Sequence, residues 1–149
     1  MNADQLLDGA KQRAKNSSLP YAGALTPEEA YTVLQQHPHA QLVDVRTRAE
    51  WAWVGRVSDA VEIEMMSFST GRPNPQFVEE LQQKVKKDSV VLFLCRSGAR
   101  SHNAATLATQ AGYAESYNIL EGFEGDCDEK GHRNTVGGWR AAGLPWSQS

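Results

Sequence analysis

Cysteine is scarce in this 149-residue chain: it carries two, Cys95 and Cys127. Two are too few for a disulfide scaffold, so both are read as free thiols. Positive charge is in deficit as well. Fifteen Lys and Arg face 18 Asp and Glu, a formal net charge of -3. That balance gives no electrostatic reason to expect nucleic acid or an anionic membrane surface as a partner. No apolar run approaches the roughly 20 residues of a membrane span. Residues 1–16 lack the apolar core of a signal peptide, and Asp4 and Asp8 speak against a transit peptide. The expectation is a cytoplasmic protein with no membrane partner. No internal repeat is visible, and this length suits one domain with a real core.

The most informative stretch begins with five apolar residues, Val90, Val91, Leu92, Phe93 and Leu94, that run unbroken into Cys95. So continuous a run suits a strand covered on both faces, as in a parallel sheet. Arg96, Ser97, Gly98, Ala99, Arg100 and Ser101 form a short loop after it. A helix follows, with Ala104, Leu107, Ala108 and Ala111 as its apolar stripe and Gly112 as its stop. Cys95 therefore sits where a strand hands over to a helix N-terminus, the place where open α/β sheets bind ligands.

The rest of the chain alternates in the same way. Residues 4–15 read as an amphipathic helix with Leu6, Leu7, Ala10 and Ala14 on one side, and residues 16–24 as a loop. Residues 1–24 are thus expected to be a helical extension packed on a domain of residues 25–149. Thr26-Pro27-Glu28-Glu29 is a capping box with Pro at the first helical position. Pro38 ends that helix. His37 and His39 flank its end without a third ligand and read as solvated loop residues, so no metal is expected.

Residues 41–46 form a strand in which Asp44 and Arg46 project to the same side. Residues 47–53 have helical composition, with Trp51 and Trp53 on different faces. Residues 61–63 could be a short strand. Asn74-Pro75 opens a helix with Phe77, Val78, Leu81 and Val85 inward. Residues 115–120 are a last strand, 121–138 a long surface loop, and 138–146 a short helix and turn. The alternation predicts an α/β domain on a mostly parallel sheet.

A thiol is nucleophilic only as the thiolate. The following helix aims free N–H groups and its positive dipole end at Cys95. Consecutive amides in a tight turn make an anion-binding nest. Arg96 and Arg100 add positive charge, and Gly98 lets the backbone curl closely. Ser97 and Ala99 keep the mouth open, and Ser97 and Ser101 can donate to sulfur or to a bound anion. An inert core cysteine is the plain alternative, but it has no use for two flanking arginines. Asp44 and Arg46 read as an ion pair or as hydrogen bonds bracing the loop. His102 could act as a base, yet a thiolate hardly needs one, and it stays outside the catalytic set. Asp126, Asp128 and Glu129 disfavour a thiolate at Cys127, which reads as an incidental loop thiol with a resolving role as the alternative. Asp126 to Gly131 faintly resembles a calcium loop, but Lys130 and Gly137 break the pattern.

At these residues the sequence resembles the rhodanese (sulfurtransferase) family. Leu42-Val43-Asp44-Val45-Arg46 with Glu50-Trp51 looks like its N-terminal signature, and Gly55-Arg56-Val57 with Asp59-Ala60 like its next turn. Cys95 to Ser101 looks like its active-site loop, and Gly137-Gly138-Trp139 through Gly143-Leu144-Pro145 like its C-terminal motif. The resemblance implies a rhodanese-like α/β fold with a central, mostly parallel five-stranded sheet and helices on both faces. It implies that Cys95 carries a persulfide without a cofactor. Its sulfur would come from a small anionic donor such as thiosulfate and go to cyanide, a thiol or a protein thiol. Residues 96–101 would bind substrate, with Asp44 and Arg46 in support. The competing readings are a cysteine-dependent phosphatase or arsenate reductase on the same fold, and a sulfur-relay or regulatory module. The phosphatase loop has five residues between Cys and Arg, whereas Cys95 and Arg100 enclose four.

Overall fold

The structure is a computed structural model that describes residues 1–148. Among the described residues five strands form one all-parallel sheet: β1 (Gly23–Leu25), β2 (Ala40–Asp44), β3 (Val61–Glu62), β4 (Val90–Leu94) and β5 (Ser116–Ile119). Their order across the sheet is β1-β5-β4-β2-β3, with β4 in the middle. The helices are α1 (Ala3–Ser17), α2 (Pro27–Gln36), α3 (Arg48–Trp53), α4 (Phe77–Lys84) and α5 (Ala99–Gln110).

All five residues of β4 are buried, and alternate ones serve opposite faces. Leu92 and Leu94 pack with Leu6, Ala10, Ala30 and Val33 of α1 and α2. Val91 and Phe93 pack with Phe77 and Leu81 of α4 and with Ala104 and Ala108 of α5. The unbroken apolar run of β4 is therefore the signature of a strand with helices on both sides.

Local signals place the helix starts. Thr26 and Glu29 close the expected capping box on α2, with Pro27 just inside. Thr47 and Glu50 close an equivalent box on α3, and Trp51 is buried while Trp53 is 74% exposed. Among the described residues no helix is long and apolar enough to cross a membrane.

Three stretches differ from expectation. Residues 16–24 are not all loop: Gly23 and Ala24 lie in β1, so the boundary expected at residue 24 falls inside a strand. A three-residue strand is too short to show a period. Its Gly23 lies against α1, where a Cβ would come within 2.7 Å of the Ala10 carbonyl carbon. Residues 138–146 form separate turns instead of a helix, with Ala142 N–H donating to the Gly138 carbonyl and Gly143 N–H to that of Arg140. The stretch 121–138 is only partly at the surface. Phe123 is fully buried, under the Arg46 guanidinium at 4.2 Å and against Trp146 at 6.0 Å between rings.

Candidate active site

Cys95 follows the last residue of β4, at the carboxyl end of the central strand, and is 1% exposed. Gly98, the N-cap of α5, has a left-handed φ of 113° and turns its N–H onto Cys95 Sγ at 3.0 Å. The loop is clamped from behind. Phe123 N–H donates to the Cys95 carbonyl at 2.8 Å, and Glu124 N–H to the Arg96 carbonyl at 2.9 Å. Gly122, with φ of 66°, lies so close that a Cβ there would stand 2.5 Å from the Arg96 carbonyl carbon. Close approach of this kind needs a residue without a side chain.

The two arginines of the loop have different fates. Arg96 is exposed, and its guanidinium has no hydrogen bond or ion pair among the described residues. Arg100 instead forms a fork on Glu50, at 2.7 and 2.9 Å. Burial alone would push the Glu50 carboxyl up. The hydrogen bonds from Arg100, the Thr47 amide and the Arg100 charge outweigh it and hold the group at about 2. Burial likewise works against the Arg100 cation. Glu50 outweighs it, with Cys95 and Asp44 adding to the pull, so Arg100 stays charged beside the sulfur.

Asp44 and Arg46 form the expected pair. Both side chains are fully buried, with Arg46 Nη2 2.8 Å from Asp44 Oδ2 and Arg46 Nε 3.0 Å from Oδ1. Arg46 Nη2 also donates to the Gly55 carbonyl at 2.8 Å. The guanidinium covers Phe123, whose N–H holds the Cys95 carbonyl, so a single residue lies between the pair and the loop.

A polar chain leads away from the sulfur. Cys95 Sγ lies 3.2 Å from Ser101 Oγ, and Ser101 Oγ donates to Asn118 Oδ1 at 2.6 Å. The Gly98 carbonyl can only accept, which orients the Asn118 amide nitrogen toward it at 3.3 Å. Asn118 Nδ2 also donates to the Tyr21 hydroxyl at 3.3 Å, and that oxygen lies 2.7 Å from His102 Nδ1. Burial pushes the Tyr21 hydroxyl up, only partly opposed by Asn118, so it stays protonated. Ser101 has one proton, and Asn118 takes it here. The same hydroxyl, 3.2 Å from Cys95 Sγ, can turn its proton to the sulfur only by giving up Asn118.

Beside the loop lies a groove of about 610 Å³. Gly98, Ala99 and His102 line it, together with Arg13, Ser17 and Leu19 from α1 and the residues after it. Ser97 is half-buried next to it. Cys127 is exposed and far along the chain in the turn that Asp128 organises by accepting from the Lys130 and His132 amides at 2.9 Å. Glu50, Asn118 and Tyr21 are the site residues that sequence reasoning missed. Glu50 had a signal in the Thr47-x-x-Glu50 box; Asn118 and Tyr21 had none.

The model of the Rhodanese-like domain family matches residues 26–129. A protein of Rickettsia rickettsii, "Uncharacterized protein RP600 homolog", is 38% identical over 120 residues, 79% of this chain and 91% of its own. Thiosulfate sulfurtransferase GlpE of Haemophilus influenzae (strain PittEE) is 27% identical over 103 residues, 69% of this chain and 86% of its own. Rv0390 from M. tuberculosis superposes with a TM-score of 0.80 at 45% identity, covering 87% of this chain and 99% of that one. The family match spans the cysteine loop, and the chain covers 91%, 86% and 99% of these three proteins' own lengths; the chain belongs to the rhodanese-like domain family.

Proposed function

We propose that the protein is a sulfurtransferase in which Cys95 is the nucleophile and carries the sulfur as a persulfide. The observation that carries this reading is the Gly98 N–H on Cys95 Sγ at 3.0 Å, at the head of α5 and at the carboxyl end of the central strand. A helix start and a turn amide favour an anionic sulfur there. In the first step the Cys95 thiolate attacks the outer sulfur of thiosulfate. A new S–S bond forms, the old one breaks, and its electron pair leaves with sulfite. In the second step cyanide or a thiolate attacks the outer sulfur of the persulfide and Cys95 leaves as the thiolate. Two covalent half-reactions give ping-pong kinetics.

The Arg96 guanidinium, unpaired among the described residues, meets the anionic donor. Arg100, fixed by Glu50, supplies standing positive charge. Ser97, Gly98, Ala99 and Ser101 line the cradle for the outer sulfur, and Asp44 with Arg46 braces it through Phe123. In this reading residues 25–149 form the sulfur-transfer domain, and residues 1–24 are an extension that packs into its core and supplies the first two residues of β1. Two free thiols suit a reducing compartment, and we place the protein in the cytoplasm. Four residues between Cys95 and Arg100, and an Arg100 already forked on Glu50, speak against a phosphatase.

Intact mass after incubation with thiosulfate tests the reading. A gain of one sulfur is expected, reversed by cyanide with release of thiocyanate and absent in Cys95→Ser. No adduct from any sulfane donor, together with hydrolysis of an aryl phosphate, would overturn it.

A further inference from the structure

Tyr21 precedes the residues matched to the family, yet its hydroxyl joins α5 to β5. Its ring meets His102 edge to face, 5.1 Å between centroids, and its side chain is buried. The direction of each bond follows from what the groups can do. Asn118 donates to the Tyr21 oxygen. The hydroxyl proton then needs an acceptor, because a buried donor left unpaired is costly. Among the described residues His102 Nδ1, at 2.7 Å, is the acceptor within reach. Nδ1 is therefore the bare nitrogen, and Nε2 carries the ring proton. Nε2 has no partner among the described residues, and the ring lines the groove that Gly98 and Ala99 share with the cysteine loop.

We propose that Tyr21 locks His102 as a hydrogen-bond donor in this groove, and that the Nε2–H binds the oxyanion end of the sulfur donor while the donor's outer sulfur meets Cys95. This rests on the sulfurtransferase reading and adds a specificity-determining pair to it. No proton moves in the step. The S–S bond of thiosulfate breaks with its electrons going to sulfite, and the hydrogen bond strengthens as negative charge collects on the sulfite oxygens. Arg13, which also lines the groove, is already paired with Glu29 and bonded to the Ala24 carbonyl; the Asn16 amide nitrogen and the Ser17 hydroxyl are unengaged there as well, but they belong to α1, whereas His102 stands on α5, the helix capped by Gly98 beside Cys95. The ligand class is a sulfane donor ending in an oxyanion; a sulfur-only anion gains little from such a donor group.

The test compares thiosulfate with inorganic polysulfide, an anion without oxygen that can also deliver one sulfur to Cys95. Persulfide loading is followed by intact mass against donor concentration, in the full chain. His102→Phe is expected to raise the half-saturating thiosulfate concentration about tenfold or more, the size of one lost hydrogen bond to an anion. For polysulfide the shift stays within about twofold. Tyr21→Phe keeps the ring packing and shifts thiosulfate in the same direction by a smaller factor. Nitrogen NMR of the wild-type protein should find the His102 proton on Nε2, and this measurement needs no variant. A wild type that loads from neither donor refutes the sulfurtransferase reading and this inference with it. A wild type that loads from polysulfide alone overturns the inference. So does a His102→Phe that leaves thiosulfate unchanged or shifts both donors alike, and so does a proton found on Nδ1.

Discussion

Glu50 shows how much one side chain can carry. Its Oε1 accepts the Thr47 amide and hydroxyl at 3.1 Å, and both its oxygens receive Arg100. Burial opposes the charge, but the partners win and hold the group at about 2 against an ordinary 4.5. The folded value lies below the unfolded one, so the unfolded chain takes up the proton first as pH falls. Stability from Glu50 is therefore complete above about pH 4.5 and is lost as pH falls toward about 2. Glu50→Gln should be less stable than wild type at neutral pH, and the gap should close across that window. Urea midpoints measured over the pH series check this; parallel curves for the two proteins would exclude Glu50 as the group.

At the scale of elements, α3 is the weak link that the site depends on. Its six residues are too few to hold a helix by propensity, so its cap matters more than usual. Thr47→Ala removes the hydroxyl that accepts the Glu50 amide at 3.3 Å and should cost about 1 kcal/mol. It should also loosen the fork on Arg100, because Glu50 loses one of its own anchors. Denaturant unfolding reads the first effect and the rate of persulfide loading the second. Full stability with an unchanged loading rate would show that the cap does not support the site. The sequence carried this box as plainly as the one at Thr26, yet composition revealed only a helical tendency there. β1 was illegible for a different reason. Three residues show no period, and the strand exists because Ala24 and Leu25 find β5 beside them.

For the whole molecule the decisive feature is that one sheet serves two cores. Leu92 supports the side of α1 and α2, while its neighbours Val91 and Phe93 support the side of α4 and α5. The two faces therefore fail together. Leu92→Ala should cost about 2–5 kcal/mol as a buried large-to-small change. Tryptophan fluorescence, which reports buried Trp51 and Trp139, and far-UV circular dichroism should shift by the same amount along one transition. Separate transitions for the two probes would mean that the cores unfold independently. That the first residues belong to this unit follows from the same packing, since Leu6, Leu7 and Ala10 of α1 share the cluster of Leu92.

What the sequence determined by itself is what neighbours along the chain decide. The continuous run into Cys95, the Gly98 turn and the capping box at Thr26 all act within a few residues, and each stands where it was read; the stripe on α5 does so at Ala104 and Ala108, while Leu107 and Ala111 are only half-buried and Ala105 joins the buried face. The spacing of Cys95 and Arg100 is likewise a property of the chain. The tertiary structure decided who meets whom. Arg100 takes a partner fifty residues away, and Tyr21 reaches His102 across eighty-one. Asn118 enters the site because β5 lies next to β4 in the order β1-β5-β4-β2-β3. Periodicity and caps encode elements but not their neighbours; those pairings are set only when the sheet assembles and buried polar groups must each find a partner.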